Sequence, residues 1–91
     1  MKTLWFKGIY VTPILSGAKT HTDRKANVWF EPGTTLDATV GPRPPFARLI
    51  VDHCERIPVS AFPPQEQEEM RAYVGDMATR VYFSLEIGAA R

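Results

Sequence analysis

LSGAKTHTDR, residues 15–24, decides how the chain is read. Before it, Ile9, Tyr10, Val11, Ile14 and Leu15 carry an apolar spacing that suits a short helix, and Gly17 stands where such a helix ends in a left-handed cap. Pro13 is tolerated only in a first helical turn, so the helix is predicted to start near Val11 or Thr12. From Lys19 to Arg24 threonines alternate with charges, which reads as a strand entered from the turn. A solvated loop explains Lys19, His21 and Arg24 but not the interleaved Thr20 and Thr22. A site explains both.

Working outward, Thr3 to Phe6 is expected as an opening strand and Asn27 to Phe30 as another. Pro32-Gly33 makes a turn. Leu36, Ala38 and Val40 then alternate with Thr35, Asp37 and Thr39, as in a half-buried strand. GPRPPF, residues 41–46, is a stiff loop that cannot lie in a central strand. Strand character resumes over Ala47 to Glu55. Pro58 to Pro64 is irregular, with one helical turn at Val59-Ser60-Ala61. Gln65 to Met77 is the best helix: Met70, Tyr73, Val74 and Met77 form a stripe, and Glu66, Glu68 and Glu69 favour its N-terminal end. Arg80 to Ile87 closes the chain, with Val81, Phe83, Leu85 and Ile87 alternating against Tyr82, Ser84 and Glu86. These elements predict an α+β domain over residues 1–91, with five or six short strands and two short helices. Edge strands in so small a sheet need covering or closure, which favours a mixed β-barrel.

With 91 residues, eight of them proline, the chain allows one domain of short elements around a small core. Hydrophobic content of 44% and aromatic content of 11% argue against disorder. Eleven basic and ten acidic residues leave a net charge of +1, without the basic excess of a dedicated nucleic-acid binder. A single cysteine, Cys54, excludes an internal disulfide and a thiolate metal site and suits a reducing compartment. Lys7, Pro13 and Gly17 interrupt the apolar N-terminal stretch, so no signal-peptide core is read there. No run approaches the ~20 apolar residues of a membrane span. A cytoplasmic protein with no membrane partner is the expectation.

The segment GAKTHTDR resembles the G-x-K-T-x-T-x-R signature of the ASCH superfamily, whose small domains have a PUA-like β-barrel fold. PGTTLDATVG and RVYFSLEI are similar to two of that family's strands, so the resemblance spans the chain, though Gly17 to Arg24 is its specific part. It implies one of two functions. Many members bind RNA, by kinship with PUA domains. A compact subgroup of about this length hydrolyses the N4-acyl amide of N4-acetylcytidine, with a lysine, a threonine three residues later and a downstream glutamate. Carried over, these are Lys19, Thr22 and, by the match of QEEM, Glu68. Glu66 and Glu69 remain alternatives, and helical periodicity sets Glu68 away from the Met70/Tyr73/Val74 stripe while Glu66 lies close to it. The same resemblance implies a monomer, no cofactor and a small nucleoside substrate, or RNA in the second reading.

The residues themselves set conditions on that chemistry. A threonine hydroxyl needs an adjacent base, and a lysine can serve where desolvation lowers its pKa. A charged lysine can instead stabilise an oxyanion. Lys19 and Thr22 are an odd number apart and would face opposite sides of a regular strand, so Lys19 must lie in the turn after Gly17. His21 then faces away from Thr22. Arg24 shares the side of Thr22 and is read, with Trp5 and Arg43, as a substrate-binding residue. Trp5, Phe6, Trp29 and Phe30 can stack a nucleobase, although a small core claims most of them. Adjacent strand residues diverge, so His53-Cys54 reads as a surface histidine beside a core cysteine. No spacing of His, Asp or Glu suggests a metal.

Overall fold

Two long strands stand next to each other inside the sheet. β4, Ala47–Pro58, and β5, Met77–Leu85, run antiparallel, and the computed structural model describes residues 2–86 around them. β3, Thr35–Thr39, pairs antiparallel with β4, and β1, Lys2–Trp5, pairs parallel with β3. On the other side β2, His21–Lys25, runs antiparallel to β5. The order is β1-β3-β4-β5-β2. A 3-10 turn at Gly8–Tyr10 leads into α1, Val11–Ser16, and a second one at Val59–Ala61 precedes α2, Pro64–Val74.

The mixed α+β architecture follows the expectation, and the barrel does not. No ladder joins β1 to β2 among the described residues, so these two strands are open edges. They have four and five residues, and short edges offer little template for unwanted pairing, so closure is not required. Asn27 to Phe30 forms no strand. Its polar backbone has no ladder to join, and Val28 and Phe30 instead pack partly buried on the core. The final helix stops at Val74: Gly75, at φ 81°, breaks it, and Met77 already pairs with Pro58 in β5.

Leu4, Phe6, Ile14, Leu36, Ala38, Leu49, Val51, Val81 and Phe83 form the core, drawn from every strand except β2 and from α1. The predicted alternation holds for Leu36 and Ala38 but fails at the end of β3, where Thr39 is buried and Val40 only half-buried. Thr39 Oγ1 has no hydrogen-bond partner among the described residues. On β4 the register slips between Val51 and His53, leaving Asp52 as the extra residue of a bulge. This resets the parity of the strand. Val51 points inward, His53 is exposed, and Cys54 packs partly buried against the core. The C-terminal half of the predicted last strand reaches Leu85, while Ile87 lies outside the described residues.

Candidate functional site

The geometry around the opening motif follows from α1. Proline in its first turn starts the helix, and Gly17 ends it at φ 83°, with its N–H donating to the Ile14 carbonyl at 3.1 Å. The Lys19 N–H then returns to the Pro13 carbonyl at 3.0 Å. Lys19 therefore sits in the turn, and β2 starts two residues later at His21, which meets the condition set by the odd spacing. Thr22 pairs with Val81, which is fully buried, so its side chain lies on the core face of β2, and the residue is only 7% exposed. His21 faces the other side, against the Tyr82 ring at 5.8 Å.

On that core face, at the β2 edge, a cleft of about 470 Å³ opens. Lys19, Thr22, Asp23 and Arg24 line it from the motif. Trp5, Phe6, Lys7 and Tyr10 line it from β1 and the turn that follows, and Glu69, Met70 and Tyr73 from α2. Among the predicted residues the structure thus brings together Lys19, Thr22, Arg24 and Trp5. It leaves out Arg43, exposed on the proline loop, and Glu68, exposed on another side of α2. Glu69 is the helical carboxylate at the cleft. Glu66 is not in the lining either.

Partial burial holds the Lys19 ammonium below the usual lysine range; the Asp23 carboxylate opposes this and Arg24 adds to it. The ammonium nitrogen lies 4.5 Å from the centroid of the Tyr10 ring. Burial also pushes the Arg24 guanidinium below its ordinary value, with Tyr73 opposing, and it stays charged at neutral pH. Its Nε donates to Thr22 Oγ1 at 3.2 Å and its Nη2 to the Trp5 carbonyl at 2.7 Å. These donors face the protein rather than the cleft mouth. Asp23 is engaged on the opposite face, accepting from Arg80 Nε at 2.8 Å and Nη2 at 3.3 Å. Although Asp23 is shared with Arg80, its charge still acts on Lys19. Among the described residues three cations, Lys7, Lys19 and Arg24, line the cleft against two carboxylates, Asp23 and Glu69, so it is cationic on balance.

The aromatic rim is unusual for so small a protein. Trp5 is 59% exposed and Tyr73 50%, although both are large enough to serve a core. Trp29 does not line the cleft and stacks instead under Arg56 at 4.9 Å. Lys7, Tyr10, Asp23, Met70 and Tyr73 are lining residues that sequence reasoning does not read as part of a site, and Glu69 is there one of three alternatives. Glu69 and Tyr73 stand four residues apart on α2, a spacing that marks one helix face. Which face meets the sheet depends on long-range packing. Among the described residues no group of three or more His, Cys, Asp or Glu side chains is placed to hold a metal. Among the described residues no helix is long and apolar enough to cross a membrane.

No family model and no curated protein sequence matches this chain. Its fold does match solved structures. A DUF984 protein from Enterococcus faecalis V583 superposes with a TM-score of 0.70 at 14% identity, over 92% of this chain and 78% of that one. ZmASCH from Zymomonas mobilis, solved as two point mutants, superposes with TM-scores of 0.66 and 0.65 at 14% identity. The match covers 91% and 94% of this chain and 66% of ZmASCH, just under two thirds of its length. At this identity the likeness is one of fold, and the fold is ASCH-like.

Proposed function

We propose that this ASCH-like domain is a small amidohydrolase that cleaves the N4-acyl amide of an acylated cytidine, with N4-acetylcytidine as the test substrate. The observation that carries the reading is the shared cleft: Lys19, the buried Thr22 and Glu69 all line it. Glu69 replaces Glu68 as the carboxylate of the motif.

The chemistry runs in two steps. Lys19, its proton affinity lowered by burial, takes the Thr22 proton as the hydroxyl oxygen bonds to the acyl carbon. The resulting ammonium then faces the oxyanion it helped to create. As the carbon–N4 bond breaks, Lys19 returns the proton to the departing N4, leaving cytidine and an acyl ester on Thr22. Glu69 accepts a proton from water, whose oxygen attacks the ester carbon. That proton returns to Thr22 Oγ1 as the second carbon–oxygen bond breaks, and the free acid is released. Exposed Trp5 and Tyr73 offer flat apolar faces for the cytosine ring.

An ultraviolet assay of N4-acetylcytidine with the wild type, Lys19→Ala, Thr22→Ala, Glu69→Gln and Glu68→Gln tests this. Turnover lost in the first three variants and kept in the last is expected. A folded wild type inactive on this and on longer N4-acyl substrates would sink the reading. A second reading, a non-catalytic module for RNA or a modified nucleotide, is favoured by the cationic cleft with its aromatic rim. It predicts steeply salt-dependent RNA affinity without turnover.

A further inference from the structure

Arg24 makes three contacts, none of which requires a substrate. Its Nε and Nη2 hydrogens form one fork, which bridges Thr22 Oγ1 on its own strand and the Trp5 carbonyl on β1. Its central carbon lies 4.9 Å from the centroid of the Phe6 ring. β1 and β2 are the two ends of the strand order, so this guanidinium links edges that no ladder joins among the described residues. An arginine has donors and no acceptor. A hydroxyl that receives its N–H on one lone pair must therefore direct its own proton elsewhere. Thr22 is buried and β-branched, so a single fixed hydrogen bond is enough to select one of its stiff rotamers.

We propose that Arg24 is a positioning residue: anchored on the Trp5 carbonyl and the Phe6 ring, it clasps the two sheet edges at the cleft and holds the Thr22 hydroxyl with its proton turned away from the guanidinium. Its value for catalysis rests on the reading of Thr22 as nucleophile, whereas the clasp itself does not. The fork also stabilises the oxygen as negative charge develops on it. A lysine carries the charge but supplies no planar fork, so it cannot hold both acceptors in this geometry.

The test compares Arg24→Lys and Arg24→Gln with the wild type. Three-bond couplings from Thr22 Cγ2 to the backbone nitrogen and carbonyl carbon report its rotamer. One rotamer is expected in the wild type and averaging in both variants. With N4-acetylcytidine, kcat is expected to fall by about tenfold or more while KM stays within about twofold. Should either variant fail to fold, the wild-type Arg24 Nε–H signal carries the test: it should exchange slowly with solvent, and Thr22→Val should shift it and speed its exchange. A Thr22 side chain that stays in one rotamer in the Arg24 variants would overturn the proposal, as would a wild-type Arg24 Nε–H that exchanges freely. A folded wild type without turnover removes the amidohydrolase reading, and the rotamer and exchange results then decide the role of Arg24.

Discussion

Arg24 and Arg80 stand on paired strands, one residue out of register, and serve opposite ends. Arg80 faces outward and is held by both oxygens of Asp23, in a cluster where Tyr82 donates to Glu55 at 2.8 Å and stacks on His53 at 4.4 Å. The hydrogen bond to Asp23 raises its pKa, and its charge is cancelled where it stands. Arg24 faces the cleft with no carboxylate within ion-pair distance among the described residues, only a hydroxyl, a carbonyl and a ring. Burial lowers its pKa, and its charge also lowers that of Lys19, where burial acts most and Asp23 opposes. One face of this ribbon balances its charges for stability. The other leaves Arg24 without a carboxylate partner among the described residues, a setting that perturbed groups in functional clefts share.

That contrast can be broken most sharply at Thr22. Thr22→Val should lower kcat/KM for N4-acetylcytidine by about 10³-fold, roughly 4 kcal/mol of transition-state stabilisation. Its stability in urea should change by only about 1 kcal/mol, for the Arg24 donor left unpaired. At α2, Glu69→Gln should cost about 10²-fold, while Glu68→Gln, off the cleft, should stay within about twofold. On the outer face the balance reverses. Arg80→Met leaves the Asp23 carboxylate unpaired and should cost about 1–3 kcal/mol in urea denaturation, with kcat/KM of the folded protein within about threefold.

The smallest effect sharpens the comparison by pH. If neutral Lys19 is the base, kcat/KM rises with pH as its proton is lost, in a limb below the ordinary lysine range because burial lowers its pKa. Asp23 raises that pKa. Removing its charge in Asp23→Asn therefore lowers it further and moves the limb to lower pH, by about one unit at most. A limb that moves to higher pH, or does not move, removes Lys19 from the role of base.

The unit from α1 through Gly17 to β2 is legible in the sequence because each of its signals is local. Pro13 fits only a first turn, Gly17 only a left-handed cap, and the threonines only a strand. The inward positions of β5 are legible for the same reason, from simple alternation. What the sequence hides is set by distant partners. The Asn27 to Phe30 stretch has strand composition but no strand to join. Closure into a barrel depends on how two short edges meet, and here a side-chain fork meets them. His53 and Cys54 diverge as adjacent strand residues do, but the bulge at Asp52 resets the inward parity of β4, which no local pattern announces. Among the three glutamates of α2, choosing Glu69 requires knowing which helix face meets β2, and the helix has no buried residue to declare it.

The most direct test of the central claim is to look for the acyl group itself. Glu69→Gln, which should slow ester hydrolysis more than ester formation, is quenched in acid during reaction with N4-acetylcytidine and digested for mass spectrometry. One acetyl group on Thr22, absent from Glu69→Gln/Thr22→Val, is the predicted result. Cytidine released with no acetylated protein, acetylation of Lys19 instead, or no cytidine from the wild type would contradict it.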